Sequence, residues 1–171
     1  QAGPAEVPAK LRWMTRDVVR KARRLGLPLR PPASHPFNPL PSLRLTCAAL
    51  EHHDPARAEA LVSRLFEATW CESASVGEVE TVLEIAASAG FDSDFLREQL
   101  DNPSIKAKLR ANTDAAIARG VFGVPTLCID DALFWGFDDL PNLRAYLDGD
   151  DPVADETFRE WEAVSASAAR R

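Results

Sequence analysis

The chain has 171 residues, of which 46% are hydrophobic and 27% charged, a composition that excludes a chain disordered throughout or a small disulfide-stapled protein. Its formal charge of −6 provides no overall basic field to recruit nucleic acid or an anionic membrane. No apolar run approaches the ~20 residues that a membrane-spanning helix needs, so we expect neither nucleic acid nor membrane as a partner.

Helical periodicity dominates the chain up to Gly120. The apolar spacing predicts a helix from Pro8 to Leu25, which Gly26 closes. Residues 26–41 contain six prolines, too many for a regular element, and are expected to form an extended crossing. The further predicted helices, each closed or followed by a turn signal, are 42–53, 55–70, 76–89, 93–101 and 103–119.

Four positions in this helical region carry signals for helix starts. Ser42 is expected to cap the second helix, and Ser75 with Glu78 forms the S-x-x-E pattern of a capping box. Asp92 and Asn102 are expected to cap the two helices that follow them. Each of these side chains offers an oxygen to the unpaired N–H groups of a first helical turn.

The hydrophobic period changes after Gly120. Residues 121–130 and 132–137 are short, apolar and rich in branched or aromatic side chains, which predicts two strands joined at Asp130–Asp131. Asp138 or Asp139 is expected to cap a last leucine-rich helix. Because two strands alone make a weak sheet, we expect partner strands from upstream or from another subunit.

The three cysteines, Cys47, Cys71 and Cys128, have neither C-x-x-C nor paired metal spacing. This pattern predicts free thiols, a cytoplasmic location and no metal site, with the cysteines as small buried side chains.

The segment GVFGVPTLCIDDALFWGFDDLPNLRAYL closely resembles the C-terminal part of 2-hydroxychromene-2-carboxylate isomerases, which are relatives of kappa-class glutathione transferases. Lys10, Trp13, Met14 and Asp17 fit the family's Lys-x-x-aromatic-aliphatic-x-x-Asp helix start, and the resemblance covers roughly residues 8–150. It implies an α/β fold of the thioredoxin-like, DsbA/kappa type with a large all-helical insertion.

The resemblance also implies a domain organisation. Residues 1–41 would be a helix and a proline-rich crossing, 42–119 the all-helical insertion, and 120–149 the C-terminal half of the thioredoxin-like domain. Residues 150–171 would be a polar tail, which either forms a peripheral helix around Phe158 and Trp161 or stays mobile. The family's opening strand–helix–strand, with its serine near the glutathione sulfur, has no counterpart here. We therefore expect that serine upstream of residue 1, in a segment missing from this chain.

Several site residues follow from the resemblance. Val124 and Pro125 occupy the position where the thioredoxin fold has a cis peptide bond, from which the Val124 backbone would pair with the cysteinyl part of glutathione. Asp138 would bind the γ-glutamyl amino group, and Phe137, in place of a small polar residue, would offer only its N–H to the glutamyl carboxylate. The alternative for Val124–Pro125 is a plain strand start, and the alternative for Asp138 is a plain helix cap.

Three further residues match family positions nearer the start of the chain. Lys10 would bind a carboxylate of glutathione, Trp13 would form an aromatic wall of the site, and Asn38 would lie near the substrate. The alternative for Lys10 is a solvated surface lysine, and the alternative for Trp13 is packing in the core. The three histidines make no recognisable metal spacing.

The function that the resemblance implies is the glutathione-dependent isomerisation of a 2-hydroxychromene-2-carboxylate in the degradation of aromatic compounds. Glutathione would be recovered as a cofactor, the substrate would be a small aromatic chromene or 2-oxo carboxylate, and the enzyme would be a homodimer. The alternatives are a kappa-like transferase or peroxidase and a non-catalytic relative. A disulfide oxidoreductase is disfavoured because the sequence has no C-x-x-C.

Overall fold

The computed structural model describes residues 7–153 and 155–164. Its helices are α1 (Pro8–Arg24), α2 (Leu40–His52), α3 (Pro55–Cys71), α4 (Val79–Ser88), α5 (Ser93–Asp101), α6 (Pro103–Ala118), α7 (Leu140–Asp148) and α8 (Asp155–Glu162). Its strands are β1 (Thr126–Ile129) and β2 (Ala132–Trp135), and a 3₁₀ turn spans Phe137–Asp139. The chain divides into two compact units, Gln1–Thr113 and Asp114–Arg171, with the boundary inside α6.

The first unit is helical, and its core lies among α2, α3, α4, α5 and the first turn of α6. One buried cluster includes Leu45, Leu61, Val82, Leu96 and Ile105, each 2% exposed or less. These residues come from five different helices, so the apolar stripe of each helix is buried against the others. Burial of this kind supplies most of the stability of helices that are individually short.

Two predicted helix caps are confirmed and two are wrong. The Asp92 carboxylate accepts hydrogen bonds from the N–H groups of two residues in the first turn of α5, and Asn102 Oδ1 accepts one from Ser104 at the start of α6. Ser42 does not cap α2, because the helix begins at Leu40 and the Ser42 hydroxyl donates to the Val76 carbonyl instead. The Ser75–Glu78 box is also absent, since Glu78 makes no side-chain capping bond at α4.

In the second unit, β1 and β2 form an antiparallel hairpin in the predicted place but with shorter strands. Thr126 pairs with Trp135 and Ile129 with Ala132, and Asp130 in the turn has a φ of 49°. A small apolar core joins the hairpin to α7, where the Phe134 and Tyr146 rings lie 5.3 Å apart. In the part of the chain that the structure describes, the sheet has two strands.

The predicted free cysteines are present, but their burial differs from the prediction. Cys47 is buried in the core, whereas Cys71 and Cys128 are only half-buried. Burial raises the pKa of the Cys47 thiol, an effect that the positive charge of Lys108 partly offsets. No helix within 7–153 or 155–164 combines the length and apolarity needed to cross a membrane.

Candidate functional site

The turn that leads into β1 is held by hydrogen bonds on both sides of Val124–Pro125. The peptide bond between these two residues is cis, as predicted. The Thr126 hydroxyl donates to the Gly123 carbonyl (2.6 Å), which closes the turn. The Gly136 N–H donates to the Pro125 carbonyl (2.9 Å), so the loop after β2 is fixed beside the turn.

Val124 is the most exposed part of this turn. It is 87% exposed, and within the described residues no group hydrogen-bonds to its N–H or its carbonyl. It lies two residues before the start of β1, whose pairing in the described chain is with β2 on one side. An unpaired N–H and carbonyl next to an open strand edge can receive an extended peptide as an added strand.

Two aromatic rings flank the turn. The Phe122 and Trp135 rings lie 5.2 Å apart, and the side chains are 73% and 51% exposed. The Trp135 indole lies directly over Gly123, where an added Cβ would be 2.6 Å from its Nε1. The G-x-F-G and W-G segments of the sequence carry this arrangement, but nothing in their pattern alone predicts that one packs on the other.

The loop after β2 presents Phe137 and Asp138 to solvent. Gly136 precedes them with a φ of +82°, a conformation that favours glycine, and both side chains are exposed. Asp139 has a different role: its carboxylate accepts hydrogen bonds from the Trp135 N–H and the Asn142 side chain, both 2.8 Å. Asp139 occupies the cap position of α7, but its carboxylate accepts no hydrogen bond from the backbone N–H groups of the first turn, and it fixes the loop instead.

The structure therefore brings four predicted residues, Val124, Pro125, Phe137 and Asp138, into one loop pair of the second unit. The other three predicted residues, Lys10, Trp13 and Asn38, lie in the first unit and are all exposed.

Trp13 is 64% exposed, so the alternative of core packing is wrong for it. Lys10 and Trp13 lie three residues apart in the first two turns of α1, the spacing of neighbours on a helix surface. Asn38 Oδ1 accepts a hydrogen bond from the Leu40 N–H (3.1 Å), which places the Asn38 side chain at the start of α2.

A pocket of about 520 Å³ lies in the first unit, and the sequence did not predict it. It is bounded by one face of α1, by the proline-rich crossing and by the end of α3. Most of its lining is apolar, with the Thr15 hydroxyl, Arg30 and His35 as its polar groups. The His35 ring lies 6.2 Å from the Trp70 ring. The residues lining it are Leu11, Met14, Thr15, Val18, Val19, Leu29, Arg30, Pro31, Pro32, His35 and Trp70.

The apolar stripe of α1 was the sequence signal for this pocket, because Leu11, Met14 and Val18 recur at helical spacing yet stay outside the buried cluster of the first unit. Among the described residues, no group of three or more histidine, cysteine or acidic side chains is placed to hold a metal ion.

Comparisons with known proteins agree on one family. A family model described as a DSBA-like thioredoxin domain matches residues 1–148. The 2-hydroxychromene-2-carboxylate isomerase of Sphingobium xenophagum is 33% identical over 147 residues, which are 85% of this chain and 73% of that protein. Human glutathione S-transferase kappa 1 is 28% identical over 71% of this chain and 57% of its own length. A solved structure of selenomethionine 2-hydroxychromene-2-carboxylate isomerase has a TM-score of 0.76 and 25% identity, and the match covers 96% of this chain and 76% of that one.

Proposed function

We propose that this chain, which belongs to the DSBA-like thioredoxin family together with 2-hydroxychromene-2-carboxylate isomerases and kappa glutathione transferases, is a glutathione-dependent isomerase of small aromatic carboxylates. Its named relatives are isomerases and glutathione transferases, so the family supports an enzyme. The reaction, the cofactor and the substrate class are our inference. A role in the degradation of aromatic compounds, a cytoplasmic location and a homodimer belong to the same proposal and rest on the family resemblance.

The observation that carries the proposal is the exposed, unpaired backbone of Val124 beside the open edge of β1. A backbone N–H and carbonyl on one residue are the partners that the cysteinyl residue of a tripeptide needs for antiparallel pairing. Because these groups have no partner in the described chain, a bound peptide does not have to displace an internal hydrogen bond.

The neighbouring loop offers complementary groups for the γ-glutamyl end of glutathione. Asp138 presents an exposed carboxylate that would attract the α-ammonium, since charge-assisted hydrogen bonds are stronger than neutral ones. The Phe137 N–H would donate to the glutamyl carboxylate. The Gly136 N–H to Pro125 carbonyl bond holds this loop against the turn, so the groups are positioned before a ligand arrives.

On the resemblance alone, we assign Lys10 to a carboxylate of glutathione, Trp13 to an aromatic wall and Asn38 to the substrate side. Their exposure leaves all three side chains accessible to small molecules. Bound glutathione would supply a thiol whose thiolate is the nucleophile. The role of the residues named above is to bind the tripeptide in an extended form and to orient it.

The apolar pocket of the first unit suits the aromatic body of such a substrate. Its volume of about 520 Å³ lies within the range of small-molecule sites, which combine apolar walls with a few polar groups. Arg30 and His35 in the lining are the groups available to a carboxylate, and the Trp70 ring offers a stacking surface. We propose this pocket as the substrate pocket of the enzyme.

Calorimetric titration with reduced glutathione tests the cofactor part of the proposal. We expect saturable binding that Asp138→Asn weakens by about fivefold or more, because the variant removes the charge that faces the ammonium. Asp131→Asn is the matched control, since Asp131 is also an exposed acid and lies at the far end of the hairpin, about 13 Å from the end of β2 along its four residues. Absence of saturable binding, or equal weakening by both variants, would contradict the proposal.

A kappa-like transferase is the second candidate, because kappa glutathione transferases are among the relatives. Absorbance assays with 2-hydroxychromene-2-carboxylate and with chlorodinitrobenzene distinguish the two activities. Turnover of the chromene with glutathione unchanged in amount supports the isomerase, whereas stoichiometric loss of glutathione onto chlorodinitrobenzene without chromene turnover supports the transferase.

A further inference from the structure

A second, smaller pocket of about 190 Å³ lies between α2 and α6 in the first unit. Its lining contains three basic side chains, two leucines and a threonine, and no acid. On α6 the lining residues recur at i, i+3, i+4 and i+7, so they occupy one face of that helix. The lining is Leu40, Arg44, Lys106, Leu109, Arg110 and Thr113, which we call the basic pocket.

Arg44 has a buried donor that is not used within the described chain. Its Nη1 donates to the Leu100 carbonyl at 3.4 Å, near the upper limit for a hydrogen bond. Its Nε is shielded from solvent and has no hydrogen-bond partner among the described groups. Buried donors in folded proteins almost always have a partner, so an unpaired one calls for an explanation such as a bound ion. A guanidinium presents its N–H groups in a planar fork that suits an oxyanion.

The charges around the pocket also favour an anion. Lys106 and Arg110 lie one helical turn apart on α6 and bring two positive charges to the pocket beside Arg44. Lys106 Nζ lies 2.8 Å from the carboxylate of Asp101, whose side chain is 91% exposed. That ion pair lowers the pKa of Asp101, and the charge of Arg44 contributes to the same shift. Asp101 does not line the pocket, but its carboxylate offsets part of the Lys106 charge from outside the lining.

We propose that the basic pocket binds a small organic oxyanion, with its charged head at Arg44 and a short apolar body against Leu40 and Leu109. The volume is about six times that of one water molecule in the liquid, enough for such a ligand. The pocket shares no residue with the proposed glutathione and substrate sites, and the proposal does not depend on either. The Leu40 N–H donates to Asn38 Oδ1 (3.1 Å), so a ligand against Leu40 would lie at the start of α2.

Two probes distinguish the chemistry of the head group: benzoate carries a carboxylate on a small apolar body, and phenyl phosphate carries a phosphate on the same body. Amide chemical shifts of the 171-residue chain are followed during titration at low ionic strength. We expect saturable shifts at Leu40, Arg44 and Thr113 with at least one probe, and weaker binding at higher salt because the attraction is electrostatic. The tighter-binding probe identifies the head group.

Three variants test the assignment. Arg44→Gln is expected to weaken binding about tenfold or more, because it removes a buried charged donor. The double variant Lys106→Gln/Arg110→Gln is expected to weaken binding about threefold to fivefold. Both residues lie at the surface, so this variant tests the proposal even if Arg44→Gln does not fold. Lys108→Gln is the matched control: Lys108 is an exposed lysine on the same helix outside the lining, and a change within twofold is expected.

Binding of neither probe would overturn the proposal. So would shifts that spread over the whole surface without saturation, or a loss of affinity in Lys108→Gln as large as in the double variant, since each would indicate attraction by general charge.

Discussion

Gly123→Ala is the substitution that the turn before β1 should tolerate least. A Cβ at this position would lie 2.6 Å from Nε1 and 3.2 Å from Cε2 of the Trp135 ring. Real Cβ contacts are essentially never shorter than 3.0 Å, so the indole has to move by about 1 Å to restore ordinary contact. The conformation of Gly123 is not the obstacle, because its φ lies outside the left-handed region; the obstacle is the ring.

The size of the effect follows from what the ring loses. Forcing an extra methyl into a packed contact costs about 1–3 kcal/mol, and the exposure of Trp135 places this case at the low end because the indole can swing outward. If the ring leaves Phe122, the aromatic pair is also lost, which adds about 0.5–1.5 kcal/mol. We therefore expect Gly123→Ala to reduce the free energy of unfolding by about 2 kcal/mol.

Urea unfolding followed by tryptophan emission measures both consequences. We expect a lower urea midpoint and an emission maximum shifted to longer wavelength, because Trp135 becomes more exposed. Gly77→Ala is the matched control, since a Cβ there meets its nearest neighbours at 3.6 Å, an ordinary contact. Equal stability of the two variants, with unchanged emission from Gly123→Ala, would refute the packing of Trp135 on Gly123.

Three other predictions concern single groups. Asp139→Ala should destabilise the fold by about 1–2 kcal/mol, measured by chemical unfolding, because the Trp135 N–H loses a charged acceptor; stability equal to the wild type would contradict this role. Cys47 should react with Ellman's reagent after the other thiols and only on unfolding, because it is buried and its thiol pKa is raised. Mass spectrometry locates the labelled thiol, and early labelling of Cys47 in the native protein would contradict this prediction. Arg97 lowers the pKa of Glu80, so their pair stabilises the fold above the ordinary carboxyl pKa and this contribution is lost as the pH falls below about 5. The melting temperature of Glu80→Gln should therefore fall below that of the wild type at pH 7 and low salt and approach it at pH 3, and a constant gap would count against the ion pair.

The helices could be predicted from sequence because their signals are local. The caps at Asp92 and Asn102 act within three residues of the side chain, so the residue type decides the outcome. Ser42 failed for the opposite reason: its hydroxyl bonds to the Val76 carbonyl 34 residues away, a contact that no local pattern contains. Tertiary contacts of this kind override propensity.

The candidate site could likewise be predicted from the sequence only where its signals are local. The cis bond at Val124–Pro125 could be predicted because it follows from a resemblance over a continuous motif. The two pockets could not, because their walls come from separate helices and from the proline-rich crossing. Asp139 was one of the two expected caps of the last helix, but its bond to the Trp135 N–H gives it a structural role that the helix pattern did not predict.

Hydrogen–deuterium exchange of the Val124 amide, followed by NMR with and without reduced glutathione, tests the proposed peptide edge most directly. Without the tripeptide the amide should exchange rapidly, because no described group accepts its hydrogen. With saturating glutathione we expect exchange at Val124 to slow by tenfold or more, while the amide of Asp131 in the hairpin turn keeps its rate. An unchanged rate at Val124 under saturating glutathione would contradict the account.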